Sequence, residues 1–323
     1  MSGQGPEAAA ERRHAGRPSI PEGDSMSGTV TGPVAFIGLG NMGRPMSRRL
    51  VEAGIDLVGF DPAESARAAL VSVGGRVADT AAAAVAGAEY VILMLPTSAI
   101  VEAVLGDEAV LAELAPGTVI VDMSSSEPES TQRLSAALAE RKLLLVDAPV
   151  SGGVAGANAG TLALIAGGPD EAIDRVTALL APLGRLQHVG ATGAGHAVKA
   201  INNLMSAIHL LGSSEGVAIG QRFGVDPKVL IDTINISSGR SASTELKFPK
   251  FILPGTYDSG FAMNLMVKDI RIAMGLASAV GAQTPLSEKA VELWATALGD
   301  LGPGADQTDI ARWAGVTHDT DPA

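Results

Sequence analysis

Lys199 and Asn203 stand four residues apart, so any helix carrying them shows an amine and an amide on one face. A lone lysine on a helix usually snorkels to the surface along its own stem. Here the flanking stretch is mostly apolar, opens just after Gly193 and Gly195, and adds a second amide at Asn202. That context favours a cleft, where partial burial lowers the amine's pKa until it can exchange protons near neutrality. Upstream, Ser151-Gly152-Gly153 combines a hydroxyl with glycine amides. Such a loop can form a nest for an anion without a formal cation, or it can be a plain glycine turn with a capping serine.

A third constellation is Gly38-Leu39-Gly40-Asn41-Met42-Gly43, which follows the apolar run Val34–Ile37 and opens a helix. Gly38 permits a tight turn, Gly40 lets the backbone approach a pyrophosphate, and Gly43 lets helix and strand pack closely. The pyrophosphate then rests on the helix N-terminus, where free N–H groups and the macrodipole favour an anion. The spacing alone is a weak signal, but Asp61 closes the second apolar run, where a carboxylate accepts hydrogen bonds from ribose hydroxyls. Asp61 would repel a 2′-phosphate and no Arg follows it directly, so the expected cofactor is NAD rather than NADP. Asp61 can also cap a helix ahead of Pro62, and the two roles are compatible.

These residues need a scaffold. Val34–Ile37, Leu57–Phe60, Tyr90–Leu95, Val119–Val121, Leu144–Val146 and Leu162–Ala166 read as strands, the first five as members of a buried parallel sheet. Arg44–Ala53, Glu64–Ser72, Ile100–Leu105 and Pro128–Arg141 read as helices between them. The spacing predicts an α/β fold, a Rossmann-type doubly wound parallel sheet over residues 31–192, followed by an all-α second domain over residues 193–323. In that second part His196–Phe223, Pro227–Ile234, Phe261–Val280 and Ser287–Leu298 read as helices. Residues 1–30 read as a disordered tail, with Met26 as a candidate natural start.

Composition narrows the function. With 46% hydrophobic and 18% charged residues the chain can bury a large core. A net charge of −12 argues against nucleic acid or an anionic membrane surface as partner. No cysteine is present, which excludes disulfides, thiolate nucleophiles and cysteine-held metals. His188 and His196 have no ligand set at metal spacing, so no metal is expected. No run approaches the roughly 18 apolar residues of a membrane span, and the start lacks the apolar core of a secretory signal. A cytoplasmic location is expected. Small residues from Ala207 to Ala218 on a long apolar helix lead us to expect a homodimer or homotetramer with helical domains in contact.

Over residues 33–315 the chain resembles the β-hydroxyacid dehydrogenase family, which includes 3-hydroxyisobutyrate and tartronate semialdehyde reductases. The likeness is carried by the glycine motif above, by Asp147-Ala148-Pro149-Val150-Ser151-Gly152-Gly153, by Gly193-Ala194-Gly195-His196-Ala197-Val198-Lys199 with Asn203, and by Met266-Val267-Lys268-Asp269. The resemblance implies hydride transfer between NAD and a small anionic 3-hydroxy acid or its semialdehyde. It implies that Ser151, Gly152 and Gly153 bind the substrate carboxylate, that Lys199 is the general acid/base, and that Asn203 orients Lys199 or binds substrate. It further implies that Met94, Leu95, Pro96, Ser125 and Lys268 contact the cofactor. The family usually has Thr where this chain has Ser125, which keeps the hydroxyl. Lys268 alone would read as a helix-surface lysine paired with Asp269 or Asp258. Arg240 or Lys247 is a candidate for a second anionic group on the substrate. Imine reductases share the architecture but generally replace the lysine, and a non-catalytic scaffold would have lost Lys199 or the glycines; both are intact.

Overall fold

The computed structural model describes residues 32–317; the expected tail and Met26 lie outside the described residues. The first half alternates short strands and helices. Strands β1 (Val34–Ile37), β2 (Leu57–Phe60), β3 (Arg76–Val77), β4 (Tyr90–Leu93), β5 (Val119–Asp122), β6 (Leu144–Asp147), β7 (Val150–Ser151), β8 (Leu162–Gly167) and β9 (Gly184–Gly190) form one sheet. Helices α1 (Gly43–Glu52), α2 (Glu64–Val71), α3 (Ala81–Val85), α4 (Ser98–Leu105), α5 (Glu108–Ala112), α6 (Pro128–Glu140), α7 (Gly153–Ala159) and α8 (Asp170–Leu180) connect them.

Side chains alternate across a strand, and here both faces are buried. In β1, Val34 and Phe36 pack with Leu39, Met46 and Leu50, while Ala35 and Ile37 pack on the other face with Val85, Val101 and Leu105. The strand order is β3-β2-β1-β4-β5-β6-β8-β7, with β9 beside β8. As expected, β1, β2, β4, β5 and β6 are mutually parallel. The far edge is mixed: β8 runs antiparallel to β6 and β7 and parallel to β9. Strands β3, β7 and β9 carry no continuous apolar run, and exposed residues in β3 and β9 hide them from pattern reading.

β4 stops at Leu93, two residues before the expected end, which releases Met94, Leu95 and Pro96 at the C-terminal edge of the sheet. After β9 the chain is helical: α9 (Ala194–Phe223), α10 (Pro227–Asn235), a π-helical segment Ser243–Ile252, α11 (Met263–Ala279), α12 (Pro285–Leu301) and the short α13 (Ile310–Trp313). These helices share their own core of Ala207, Leu210, Phe248, Ile252, Ile270 and Trp294. The π-helical segment contains Pro249, which breaks the expected helical period and explains why it was not foreseen. α9 has 30 residues, about 45 Å at 1.5 Å per residue.

Candidate active site

The glycine loop behaves as its spacing suggests. Gly38 has φ +98°, and a Cβ there would lie 2.3 Å from Met94 O, so no other residue fits without displacing backbone. A Cβ on Gly43 would lie 1.9 Å from Gly38 O, which is the close helix–strand approach. A Cβ on Gly40 would meet nothing within 4 Å, leaving open space before the N-terminus of α1. That cradle fits a pyrophosphate. Asp61 lies at the end of β2, with Oδ2 accepting Leu39 N–H at 2.8 Å and Oδ1 accepting Ala63 N–H at 2.8 Å. The carboxylate therefore braces the glycine loop itself. The α2 N-cap is Ala63 rather than Asp61, so the capping alternative takes the form of a turn before the helix. Asn41 is exposed and Met42 half-buried, both at the loop's rim.

On the next two strands, Leu95 N–H donates to Ser124 Oγ at 2.9 Å, tying the Met94–Pro96 loop to the loop after β5. Ser125 is half-buried. Its carbonyl accepts from Lys268 Nζ at 2.9 Å, across from α11. Lys268 Nζ also sits 3.0 Å from Asp269 Oδ1, an ion pair not aligned as a hydrogen bond. With a side chain 27% exposed, Lys268 is a strap between the helical part and the loop after β5, not the surface lysine its sequence alone suggests.

Ser151 ends β7, and Gly152 and Gly153 have φ +130° and +60° before α7. Gly152 occupies the N-cap position with no side-chain cap, so Ser151 does not serve as a capping serine. The turn presents successive backbone amides beside a half-buried hydroxyl.

α9 carries Lys199, partly buried, and Asn203, 6% exposed. Burial pushes the Lys199 ammonium below the ordinary lysine value; the Asp269 carboxylate opposes the shift and Lys268 adds to it. Asn203 does not bond Lys199. Its Nδ2 donates to Asp269 Oδ2 at 2.6 Å, and its Oδ1 accepts from Asn202 Nδ2 at 3.1 Å. Asp269 is 3% exposed and joins all three groups. In the sequence Asp269 is visible only as a motif member and a partner for Lys268. The available signal was that Asp269 is the single acidic residue of the helical window Phe261–Val280, with Lys268 and Arg271 close by in sequence.

The two candidate cations for a distal anion part company. Arg240 is 62% exposed and pairs with Glu245 at 3.5 Å. Lys247 turns inward, with Nζ 3.0 Å from Ser206 Oγ and 3.0 Å from Gln307 Oε1, and burial pushes its pKa down to about 8 against the pull of Asp306. A cleft of about 680 Å³ runs between Thr97, Ser125 and Pro128 on one side and Lys268, Arg271 and Leu276 on the other. Among the described residues no cluster of ligands suits a metal ion, and no helix is long and apolar enough to cross a membrane.

Known proteins share both halves of this arrangement. Residues 33–198 match the family described as the NAD binding domain of 6-phosphogluconate dehydrogenase, and residues 193–314 the family described as "NAD-binding of NADP-dependent 3-hydroxyisobutyrate dehydrogenase". The NAD-dependent L-serine dehydrogenase of Pseudomonas aeruginosa is 40% identical over 272 residues, spanning 81% of this chain and 90% of that protein. The 2-(hydroxymethyl)glutarate dehydrogenase of Eubacterium barkeri is 37% identical over 263 residues, 81% of this chain and 87% of its own. The solved structure of Mycobacterium tuberculosis 3-hydroxyisobutyrate dehydrogenase with L-serine superposes with a TM-score of 0.83 at 34% identity, covering 88% of this chain and 99% of that one. The NAD-binding match and the open cradle at Gly40 make NAD the cofactor. Likeness that runs unbroken from the glycine loop through the lysine helix to the Lys268-Asp269 pair decides the matter: the chain belongs to the β-hydroxyacid dehydrogenase family, the nicotinamide-dependent oxidoreductases of 3-hydroxy acids.

Proposed function

We propose that this protein oxidises a small 3-hydroxy acid with NAD, and that Lys199 takes the proton from the substrate hydroxyl. The observation that carries the proposal is the setting of Lys199: a desolvated amine beside Asp269 and Lys268, on the helix that also presents Asn203. An amine with a lowered pKa is neutral for a larger fraction of the time near pH 7 and can act as a base. Asn203, clamped by Asp269, orients the substrate hydroxyl, and the Ser151 hydroxyl with the Gly152 and Gly153 amides receives the carboxylate. Gly38, Gly40 and Gly43 with Leu39, Asn41 and Met42 seat the pyrophosphate, and Asp61 meets the adenosine ribose. Met94, Leu95, Pro96, Ser125 and Lys268 enclose the nicotinamide side. When bound, NAD supplies the hydride acceptor for the carbinol carbon. Alcohol and NAD⁺ give carbonyl, NADH and one proton, and the proton leaves through Lys199.

The relatives' names suggest the substrate's shape. L-Serine, 2-(hydroxymethyl)glutarate and 3-hydroxyisobutyrate all attach a primary carbinol, CH2OH, to the carbon that bears the carboxylate. We extend that skeleton to this chain, with residues 31–192 as the NAD-binding domain and residues 193–323 as the substrate and dimerisation domain. NAD⁺ and NADP⁺ reduction should be followed over these three acids and matched 2-hydroxy acids. Turnover of the 3-hydroxy acids with NAD⁺ is expected; equal turnover of 2-hydroxy acids, or none at all, rejects the assignment.

A further inference from the structure

The first turn of α9 rests on buried polar groups that the chemistry above does not use. β5 ends at Asp122 and β6 at Asp147, paired in register, and both carboxylates are buried. Gly193, the N-cap of α9, has no side chain to satisfy the free amides of the first turn. Asp147 does so from the sheet: Oδ1 accepts Gly193 N–H at 2.6 Å and Oδ2 accepts His196 N–H at 2.8 Å. A Cβ on Gly195 would lie 2.2 Å from Ile165 O, so the helix backbone sits directly on β8.

The His196 side chain, fully buried, completes the junction. Its Nε2 is 3.0 Å from Ser124 O, which can only accept, so Nε2 carries a proton and donates. Its Nδ1 is 2.8 Å from Thr131 Oγ1 on α6. Each ring nitrogen also lies 3.8 Å from a carboxylate, Nε2 from Asp122 Oδ2 and Nδ1 from Asp147 Oδ2. Ser124 Oγ in turn accepts Leu95 N–H. One imidazole thus joins the loop after β4, the loop after β5, α6 and α9 into a single hydrogen-bonded body.

We infer that His196 is a positioning residue, holding the first turn of α9 against the two cofactor-side loops and thereby setting where the Lys199 amine, three residues on, stands. The inference rests on Lys199 as the acid/base group. Burial pushes the Asp147 carboxyl above the usual range, and His196 is the largest influence opposing it. An apolar residue at 196 would therefore remove the partner that both Asp122 and Asp147 share. The groups facing Lys199 itself are Asp269 and Lys268 of α11, so a shift of α9 against α11 alters its titration as well as its reach. Misplacement of a reacting group by about 1 Å can cost on the order of 10²-fold in rate.

The test uses the full chain with three substitutions: His196→Leu, His196→Gln and Thr131→Val. For His196→Leu, kcat should fall by roughly 10- to 100-fold, NAD binding should stay within a few-fold of wild type, and the Lys199 pKa should move. That pKa is read without turnover, by NMR of the isotope-labelled, reductively methylated lysine, so it reports on the helix even if Lys199 proves not to be the base. His196→Gln, which keeps a donor and an acceptor, should restore most of the rate. Thr131→Val removes the Nδ1 partner, along with the hydroxyl's own bond to Glu127 O at the N-cap of α6, and should shift the Lys199 titration in the same direction by less, which keeps the test open if His196→Leu does not fold. Wild-type kcat and an unmoved Lys199 titration in His196→Leu, or in Thr131→Val if that is the only folded variant, would overturn the inference. So would His196→Gln as impaired as His196→Leu. Failure of the catalytic assignment looks different: Lys199→Ala would then keep its activity.

Discussion

Asn203 on α9 donates its side-chain amide to the buried Asp269 carboxylate on α11 across 2.6 Å. The contact fixes the Asn203 side chain and places a negative charge near Lys199 without pairing it directly. A carboxylate in full contact would hold the lysine protonated; one held by Asn203 and offset by Lys268 leaves burial in command.

Removal of the Lys199 amine is the first test. Lys199→Ala should lower kcat by roughly 10²–10⁴-fold, the usual contribution of a positioned proton-transfer group. NAD binding, measured by calorimetry, should stay near wild type, because the glycine loop and Asp61 lie on the sheet. Lys199→Arg should also be slow, since a guanidinium does not release its proton near neutrality. An Arg variant within a few-fold of wild type would remove Lys199 from the mechanism.

The pH profile follows from the charges around that amine. Oxidation needs Lys199 unprotonated, so kcat/KM rises with pH through its folded pKa, which lies below the ordinary 10.5. Asp269 raises that pKa and Lys268 lowers it. Asp269→Asn should therefore move the acidic limb to lower pH, and Lys268→Gln should move it to higher pH. Shifts of the same sign in both variants would contradict the assigned arrangement.

Cofactor choice should depend on Asp61. Wild type is expected to prefer NAD(H), and Asp61→Ser should narrow the preference by at least about tenfold, because a like charge facing a phosphate costs several kcal/mol. Arg67, whose Nη1 donates to Asp61 O at 2.6 Å, is then at hand for the extra phosphate. A wild-type kcat/KM at least as high with NADP(H) refutes the role given to Asp61. The substitution also removes the brace on Leu39 N–H, so some loss with both cofactors is expected.

Lys247 predicts an alkaline stability effect. Its pKa is about 8 in the fold and about 10.4 in an unfolded chain. Between those values the unfolded chain binds more protons, so this residue makes stability rise with pH there; below about 8 the full cost of burying the ammonium is present. Lys247→Met also loses the bonds to Ser206 and Gln307, but neither group titrates, so their loss is a constant offset. The Tm difference between wild type and variant should therefore shift in favour of wild type as pH rises from 8 to 10. A difference that is flat with pH would show that the ammonium is not desolvated.

Assembly should show on α9. Ile201, Met205, Ile219 and Phe223 are exposed along one stripe, with Gly212 and Gly216 between them. A Cβ at either glycine meets nothing within 4 Å in the single chain. Gly216→Leu should therefore keep or raise the Tm of the isolated chain, since leucine favours helix by up to about 1 kcal/mol over glycine. It should nevertheless weaken a homodimer that packs through this face. A wild-type monomer by light scattering at micromolar concentration would reject the dimer.

The parallel half of the sheet, the glycine turn and the long helix bearing Lys199 were all legible from the chain, for local reasons. Val34–Ile37 and its parallel partners are apolar because both faces of each strand are covered, and a turn at φ +98° admits only glycine at position 38. The Ser151-Gly152-Gly153, Lys199 and Lys268 motifs were legible as a resemblance, without showing how they meet. Strands β7 and β9 left no trace, because edge strands need no apolar run. Asp269 and His196 looked ordinary, since their meaning lies in contacts with Asn203, 66 residues away, and with Ser124, 72 residues away. Arg240 and Lys247 were equivalent as cations, and only the packing of the π-helical segment against α9 sent one to solvent and the other to Ser206. Periodicity and turn chemistry are set by neighbours in sequence, whereas burial, charge pairing and the pKa of an amine are set by neighbours in space, and those exist only once the two halves have packed.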